Sequence, residues 1–462
     1  MKEKILLVLA AAILSSCKVG PNFAGAHAPK LPTSWVNHLP PASRTEDLQN
    51  WWNCFGDSQL TALIQQGFTN NPDMVTAAIA ISRAEVELRA TRSTLFPTTS
   101  VGFSGHNNGS FNSSTSHGHW SGSLSESWSP DVWGGTRRQI EAAFADVGSA
   151  HAAAAATRTA LAASIATAYF EWISAKESLR FARQQLAYQQ RSFNIVAERV
   201  SNGFQNALDL AEAQSSIATT RAQIPAYEAA IKNQENVLAI YLGTTLDQVR
   251  LIMPRASTYN RIPRVPTGMP SELLRRRPDI VRAEHQLHRA TALIGVQVAN
   301  LFPRVSLSRN TEASSRSDFT DFFRNSGWSL VGSASTTIFN REQLRANVKL
   351  ARLAERESAQ NYRKTVLAAF AEVESCLIDY EQLTSQLPQY EKAAVASKRA
   401  ADLALSLYNA GNSNYLNVAS SERAWLNAEL NLISTRQRIR ISLAKLCTAL
   451  GGGWELPKEE KK

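Results

Sequence analysis

Trp120-Ser121-Gly122-Ser123-Leu124-Ser125-Glu126-Ser127-Trp128-Ser129 puts a serine at every odd position and sets Trp120, Leu124 and Trp128 on the other face. Successive side chains of a strand point to opposite sides, so this period of two reads as a β-strand with one apolar and one hydroxylated face. Apolar residues on one side, small polar ones on the other and aromatics near the ends are the pattern of a strand between lipid and a watery lumen. The pattern returns 208 residues later, where Trp328, Leu330, Gly332, Ala334 and Ile338 oppose Ser329, Ser333, Ser335 and Thr337. Each segment has a shorter strand ahead of it, Thr98 to His106 and Arg304 to Asn310, joined to it by polar loops, Asn107 to Gly118 and Thr311 to Gly327. Glu126 falls on the apolar face; either it sits close to an interface or the register slips there.

Four strands of about ten residues reach across a membrane, but they do not close a barrel. An open sheet edge in hydrocarbon leaves backbone groups unsatisfied at a cost of several kcal/mol each. Other copies must complete the cylinder, so the strand pattern alone requires oligomerisation.

Outside the strands the period changes to 3.5. From Leu161, the positions Ile165, Ala168, Trp172, Ala175, Leu179, Ala182, Leu186, Gln189, Phe193, Val196 and Val200 follow in steps of four and three, and only Gln189 is polar. Adding 208 gives Ala369 through Tyr408, with Ser397 as the polar exception at the matching place. Such a stripe is a coiled-coil seam. A second seam runs from Leu210 to Tyr241 and is copied from Val418 to Ala449, so each half holds a long helix, a tight turn and a returning helix. No proline interrupts Trp133 to Ile224, which allows a helix of roughly 95 Å at 1.5 Å per residue. Pro225 and Pro388 are expected to bend one helix in each half.

The halves match in their punctuation as well. Asn71-Pro72-Asp73 recurs as Arg277-Pro278-Asp279 and Leu95-Phe96-Pro97 as Leu301-Phe302-Pro303, both 206 residues later; Gly203 recurs as Gly411 and Leu242-Gly243 as Leu450-Gly451, both 208 later. A period this long exceeds that of a solenoid repeat. The expected organisation is a signal peptide at 1–16, an N-terminal segment at 17–60, a first repeat at 61–253, a Pro-rich linker at 254–270, a second repeat at 271–453 and a polar tail at 454–462.

Lys2 and Lys4 precede the apolar run Ile5 to Leu14, too short to span a bilayer as a helix, and Ser15-Ser16-Cys17 follows. Leu14-Ser15-Ser16-Cys17 resembles a bacterial lipobox, which implies cleavage before Cys17 and acylation of that residue; Lys18, where an Asp would retain a lipoprotein at the inner membrane, points to the outer one. Losing residues 1–16 lowers the formal charge from +10 to +9, a diffuse basic balance. Arg275-Arg276-Arg277 has no aromatic interleaving and reads as a solvated face, so no nucleic-acid partner is expected. Cys54, Cys376 and Cys447 are odd in number and widely spaced, which favours buried thiols over a disulfide framework.

Taken together, Cys17-Lys18-Val19-Gly20-Pro21-Asn22-Phe23, the Trp51-Trp52 stretch, both Pro-Asp and both Leu-Phe-Pro motifs, Asp131-Val132-Trp133-Gly134-Gly135 and Tyr408-Asn409-Ala410-Gly411 resemble the lipoprotein branch of the TolC-like outer membrane factor family. The resemblance implies an α+β membrane protein, a trimeric 12-stranded barrel with four strands per protomer continuing into a helical tunnel across the periplasm. It also implies partners: two further copies of the chain, outer membrane lipid, and a periplasmic adaptor and inner-membrane pump that meet the hairpin tips, here Gly203, Asn206, Gly411 and Asn412. In the family a tyrosine, a basic residue and nearby acids brace the periplasmic aperture. Tyr408 matches the tyrosine, whereas Ser413 stands at the basic place, Asn417 at the ring acid and Ser420 at a second acidic place; Asp209, 208 residues before Asn417, keeps a carboxylate in the first tip. Tyr408, Asn417 and Ser420 are expected to line the closed end, the alternative being that they pack between the hairpins.

No phosphate loop, nucleophile elbow or metal-ligand cluster is recognisable, and Asp and Glu are scattered along the helices, so neither an enzyme nor a cofactor is expected. His117 and His119, with His106 nearby at the end of the first strand, read as solvated loop histidines, and His285 and His288 as part of a solvated helix face. The functional expectation is a passive outer-membrane exit duct of a tripartite efflux system, a bacterial lipid-anchored protein extending into the periplasm. Its alternatives are the outer-membrane channel of a type I protein secretion system and a coiled-coil scaffold lipoprotein without a pore.

Overall fold

A computed structural model of the chain describes residues 18–30, 32–37, 48–109, 116–253, 272–315 and 326–454. They form two compact units, one from residues before 29, 79–152 and 281–365, the other from 29–78, 153–280 and residues after 365. Cys17 and the proposed signal and linker segments lie outside the described residues.

The first unit carries one antiparallel sheet in the order β1 (Thr98–Gly109), β2 (Ser116–Trp128), β3 (Arg304–Ser315), β4 (Ser326–Ser335), with β1 and β4 as its edges. Residues opposite each other in an antiparallel ladder share a face. The registers Val101↔Leu124, Leu124↔Thr311, Trp128↔Leu307 and Arg309↔Leu330 therefore gather Val101, Phe103, Trp120, Leu124, Leu307, Trp328 and Leu330 on one side. Phe103 is 78% and Trp328 74% exposed within the single chain, an apolar surface whose natural solvent is hydrocarbon. The other side is a lattice of hydroxyls, with Ser104 to Ser121 at 2.7 Å, Ser125 to Asn310 at 2.5 Å and Ser306 to Ser333 at 2.7 Å.

Three of the strands outrun the sequence expectation, whereas β4 stops at Ser335, short of the expected Thr337 and Ile338. β1 and β2 pair as far as Gly109↔Ser116 and β3 continues to Ser315, so much of the expected loop is ladder, and His117 and His119 lie in β2, with His119 opposite His106 of β1. Backbone pairing continues past the point where the alternation of side chains stops, because it needs no apolar residues. The register does not slip at Glu126. It sits opposite Arg309 on the same face, at an N···O distance of 3.8 Å, one same-face position from the end of β2.

The remaining elements are helical. After a 3-10 helix at Leu48–Phe55 they are, in chain order, α1 (Ser58–Asn70), α2 (Pro72–Ser93), α3 (Gly135–Ser201), α4 (Ala207–Tyr241), α5 (Leu246–Ile252), α6 (Leu273–Arg276), α7 (Pro278–Ala299), α8 (Arg341–Asn409) and α9 (Tyr415–Ala449). None is both long and apolar enough to cross a membrane. α3 and α8, of 67 and 69 residues, hold the two copies of the long seam, and none of its positions is exposed in either copy. α4 and α8 stay helical through Pro225 and Pro388.

The second unit shows why the repeat punctuation matches. Asn71 Nδ2 donates to the carbonyl of Tyr241 at 2.9 Å, and Arg277, its counterpart, donates through its guanidinium to the carbonyl of Ala449 at 2.8 Å. An orphan carbonyl at the end of each returning helix is thus satisfied by the residue before each Pro-Asp, with different chemistry in the two halves. Gly243 and Gly451 follow with φ of +59° and +81°, and each presses on a backbone carbonyl, of Asn70 and of Arg276, where a Cβ has no room. The α3 seam is not its only buried stripe. Phe181 packs with Trp425 and Leu426 of α9, and Gln185 and Ser192 on the same side of α3 meet Glu422.

Candidate functional site at the hairpin tips

Both turns use the same local chemistry. α3 ends with Phe204 N–H donating to Arg199 O and Gly203 at φ +75°; α8 ends with Asn412 N–H donating to Leu407 O and Gly411 at φ +78°. These are glycine-terminated helix ends, and an asparagine starts each return. Asn206 Oδ1 accepts from Leu208 and Asp209 N–H, and Asn414 Oδ1 accepts from Asn417 N–H. Gly203, Asn206, Gly411 and Asn412 are all exposed.

Behind the turns the two hairpins interlock. Tyr408 is fully buried in a cluster with Val196, Ala213, Tyr415, Val418 and Ala419, and its hydroxyl donates to Asp209 Oδ2 at 3.3 Å. Burial, followed by the charge and hydrogen bond of Asp209, pushes the Tyr408 phenol up to about 12. Arg199 from the last turn of α3 donates to the carbonyls of Tyr408 and Asn409 at 2.9 and 2.8 Å, and its guanidinium lies 5.3 Å from the Tyr408 ring centroid. A cation at the carbonyl end of a helix is favoured by the helix dipole. Arg199, Tyr408 and Asp209 therefore stitch α3, α8 and α4 together.

Within the single chain Tyr408 and Asp209 thus pack between the hairpins, whereas Asn417 and Ser420 are exposed on the first turns of α9. Asn417 Nδ2 donates to Ser413 Oγ at 3.1 Å and Ser420 Oγ to Asn417 O at 3.1 Å, leaving both residues on an open polar face. Sequence reasoning did not single out Arg199 or Glu422. Arg199 carries the signal of a basic residue in a last helical turn, although it caps the neighbouring helix and not its own. Glu422 falls on the buried stripe of Tyr415, Val418, Ala419, Trp425 and Leu426, where a carboxyl is out of place. It accepts from Ser192 Oγ at 2.7 Å, its Oε2 has no hydrogen-bond partner among the described residues, and burial raises its pKa against the opposing pull of Ser192.

The family model described as outer membrane efflux protein matches residues 63–244 and again 269–452, once in each repeat. The chain belongs to the outer membrane efflux protein family. It is 28% identical to the cation efflux system protein CusC of Escherichia coli O6:H1 over 461 residues, spanning 98% of this chain and 99% of that one. With the pyoverdine export outer membrane protein OpmQ of Pseudomonas putida it shares 30% identity over 443 residues, 92% of each chain. The solved structure of the outer-membrane channel OprN superposes with a TM-score of 0.85 at 26% identity, covering 95% of this chain and all of that one. This outer membrane efflux protein is the outer-membrane channel component of a bacterial efflux system, with the α+β membrane fold of its family.

Proposed function

We propose that three copies of this efflux protein join β4 of one protomer to β1 of the next, closing twelve strands into a barrel that serves as a passive exit duct. The observation that carries this reading is the open four-stranded sheet, with its exposed Phe103 and Trp328 on one face and its serine lattice on the other. An apolar face needs lipid, a hydroxylated face needs water, and free edges in hydrocarbon need strands. The chain performs no chemistry of its own. A periplasmic adaptor and an inner-membrane pump meet the exposed tips at Gly203, Asn206, Gly411 and Asn412, and Cys17 carries the lipid anchor.

In the closed state Asn417 and Ser420 line the periplasmic aperture, while Arg199, Tyr408 and Asp209 hold the second hairpin against the first. Opening is a two-state change in which adaptor binding favours tips that have let go of one another. Planar-bilayer recording on the purified protein tests the duct. Discrete ion conductance is expected, and a protein that inserts but never conducts leaves a scaffold as the remaining reading.

A further inference from the structure

We infer that Arg138 is the seat for the chain segment that follows the lipid-bearing cysteine, fixing the anchor at the joint where β2 passes into α3. The inference rests on the reading of Cys17 as the lipidated residue. Arg138 lies in the first turn of α3 and is 0% exposed, unusual for a guanidinium so close to a helix start. Its donors go largely to the N-terminal segment: Nε to Val19 O at 3.0 Å, one terminal nitrogen to Gly20 O at 3.1 Å and Asn22 Oδ1 at 2.7 Å, and the other to Glu141 at 2.9 Å. Glu141 also pairs with Lys18 and with His288, and Phe23 stacks on His288 at 4.5 Å.

The fit is steric as well as polar. Gly20 adopts φ +89°, and a Cβ on it would run into Gly295 Cα of α7; a Cβ on Gly295 would stand 2.7 Å from Arg138 Cγ and 2.8 Å from Val19 O. Val19 N–H donates to Trp133 O at 3.2 Å, between the end of β2 at Trp128 and the start of α3 at Gly135. Asp131 caps the same joint by accepting from the N–H groups of Thr136 and Arg137. Cys17 stands two residue steps before Val19, with Lys18 between them, a chain reach of about 7 Å. The acyl chains are then tethered where the membrane-crossing sheet gives way to helix, the level at which they must enter the inner leaflet.

Carbodiimide treatment of outer membranes containing the full-length protein, which condenses the Lys18 amine with the Glu141 carboxylate, tests the seat by peptide mass spectrometry. The wild-type chain should give the Lys18–Glu141 crosslink. Arg138→Ala should lower its yield about tenfold, in keeping with the loss of charge-assisted hydrogen bonds. Gly20→Val should do the same from the segment's side, by forcing the segment off α7 without changing any helical residue, with helicity unchanged and the Cys17 peptide still acylated. Undiminished crosslinking in both variants overturns the seat, whereas a Cys17 peptide without acyl groups in the wild-type chain overturns the anchor on which it rests.

Discussion

The Tyr408 hydroxyl reaches Asp209 Oδ2 at 3.3 Å, and the pseudo-symmetric counterpart of this bond does not exist, because Val200 stands 208 positions before Tyr408 and Asn417 stands 208 after Asp209. The two tips are therefore alike in backbone and unlike in chemistry: a hydroxyl–carboxylate link crosses at one place and an exposed amide stands at the other. One link can be broken without disturbing its copy, which makes the asymmetry testable.

Tyr408→Phe and Asp209→Ala should each loosen the tips and raise the fraction of time the purified channel spends open in bilayers. Because they remove the same bond, the double variant should fall short of the summed effects by a coupling of about 1 kcal/mol. Strict additivity in open probability would separate the two residues functionally.

Arg199→Ala removes two hydrogen bonds to α8 carbonyls and the cation above the Tyr408 ring. Cells carrying it should admit large antibiotics that the closed wild-type channel excludes. Arg199→Lys keeps the charge without the fork and should be intermediate.

Glu422 gives the helical packing a pH dependence of definite sign. Its pKa is raised in the folded chain because burial disfavours the carboxylate, so the packing is favoured by protonation. That contribution is fully present below the unfolded value of about 4.3 and is lost as pH rises through the raised folded value. Ser192, Tyr415 and Gln185 face it, and none supplies a cation. Thermal melts should show Glu422→Gln more stable than wild type at neutral pH, with the advantage shrinking in acid; a variant that melts lower throughout would contradict this.

Glu126 and Arg309 share the apolar face of the sheet. Arg309→Glu should weaken the heat resistance of the oligomer on gels, because it sets two carboxylates directly opposite each other on the lipid-facing side of the sheet. Adding Glu126→Arg should restore it.

At the aperture, Asn417→Asp returns a carboxylate to an exposed first-turn position of α9. Divalent-cation block of single-channel current should strengthen; unchanged block would place Asn417 away from the constriction.

Much of this architecture was legible because it is carried by periods and punctuation. Trp120, Leu124 and Trp128 against five serines identified a strand, and the stripe ending at Val200 and Tyr408 identified two long helices, since a buried face repeats with the geometry of its element. The strand ends were not legible, because the Gly109↔Ser116 rung is made by backbone alone. Arg199 and Arg138 escaped notice for a related reason. Each acts on carbonyls remote in sequence, and nothing in the side-chain pattern records which carbonyl a guanidinium will meet. The equivalence of Asn71 and Arg277 was visible as spacing, but their common task of capping Tyr241 and Ala449 appeared only in three dimensions.

Native mass spectrometry of the detergent-extracted mature protein bears most directly on whether the open sheet is sealed by other copies of itself. A single dominant species of three chains is expected, while a stable monomer with β1 and β4 unpaired would contradict the barrel and the duct built on it.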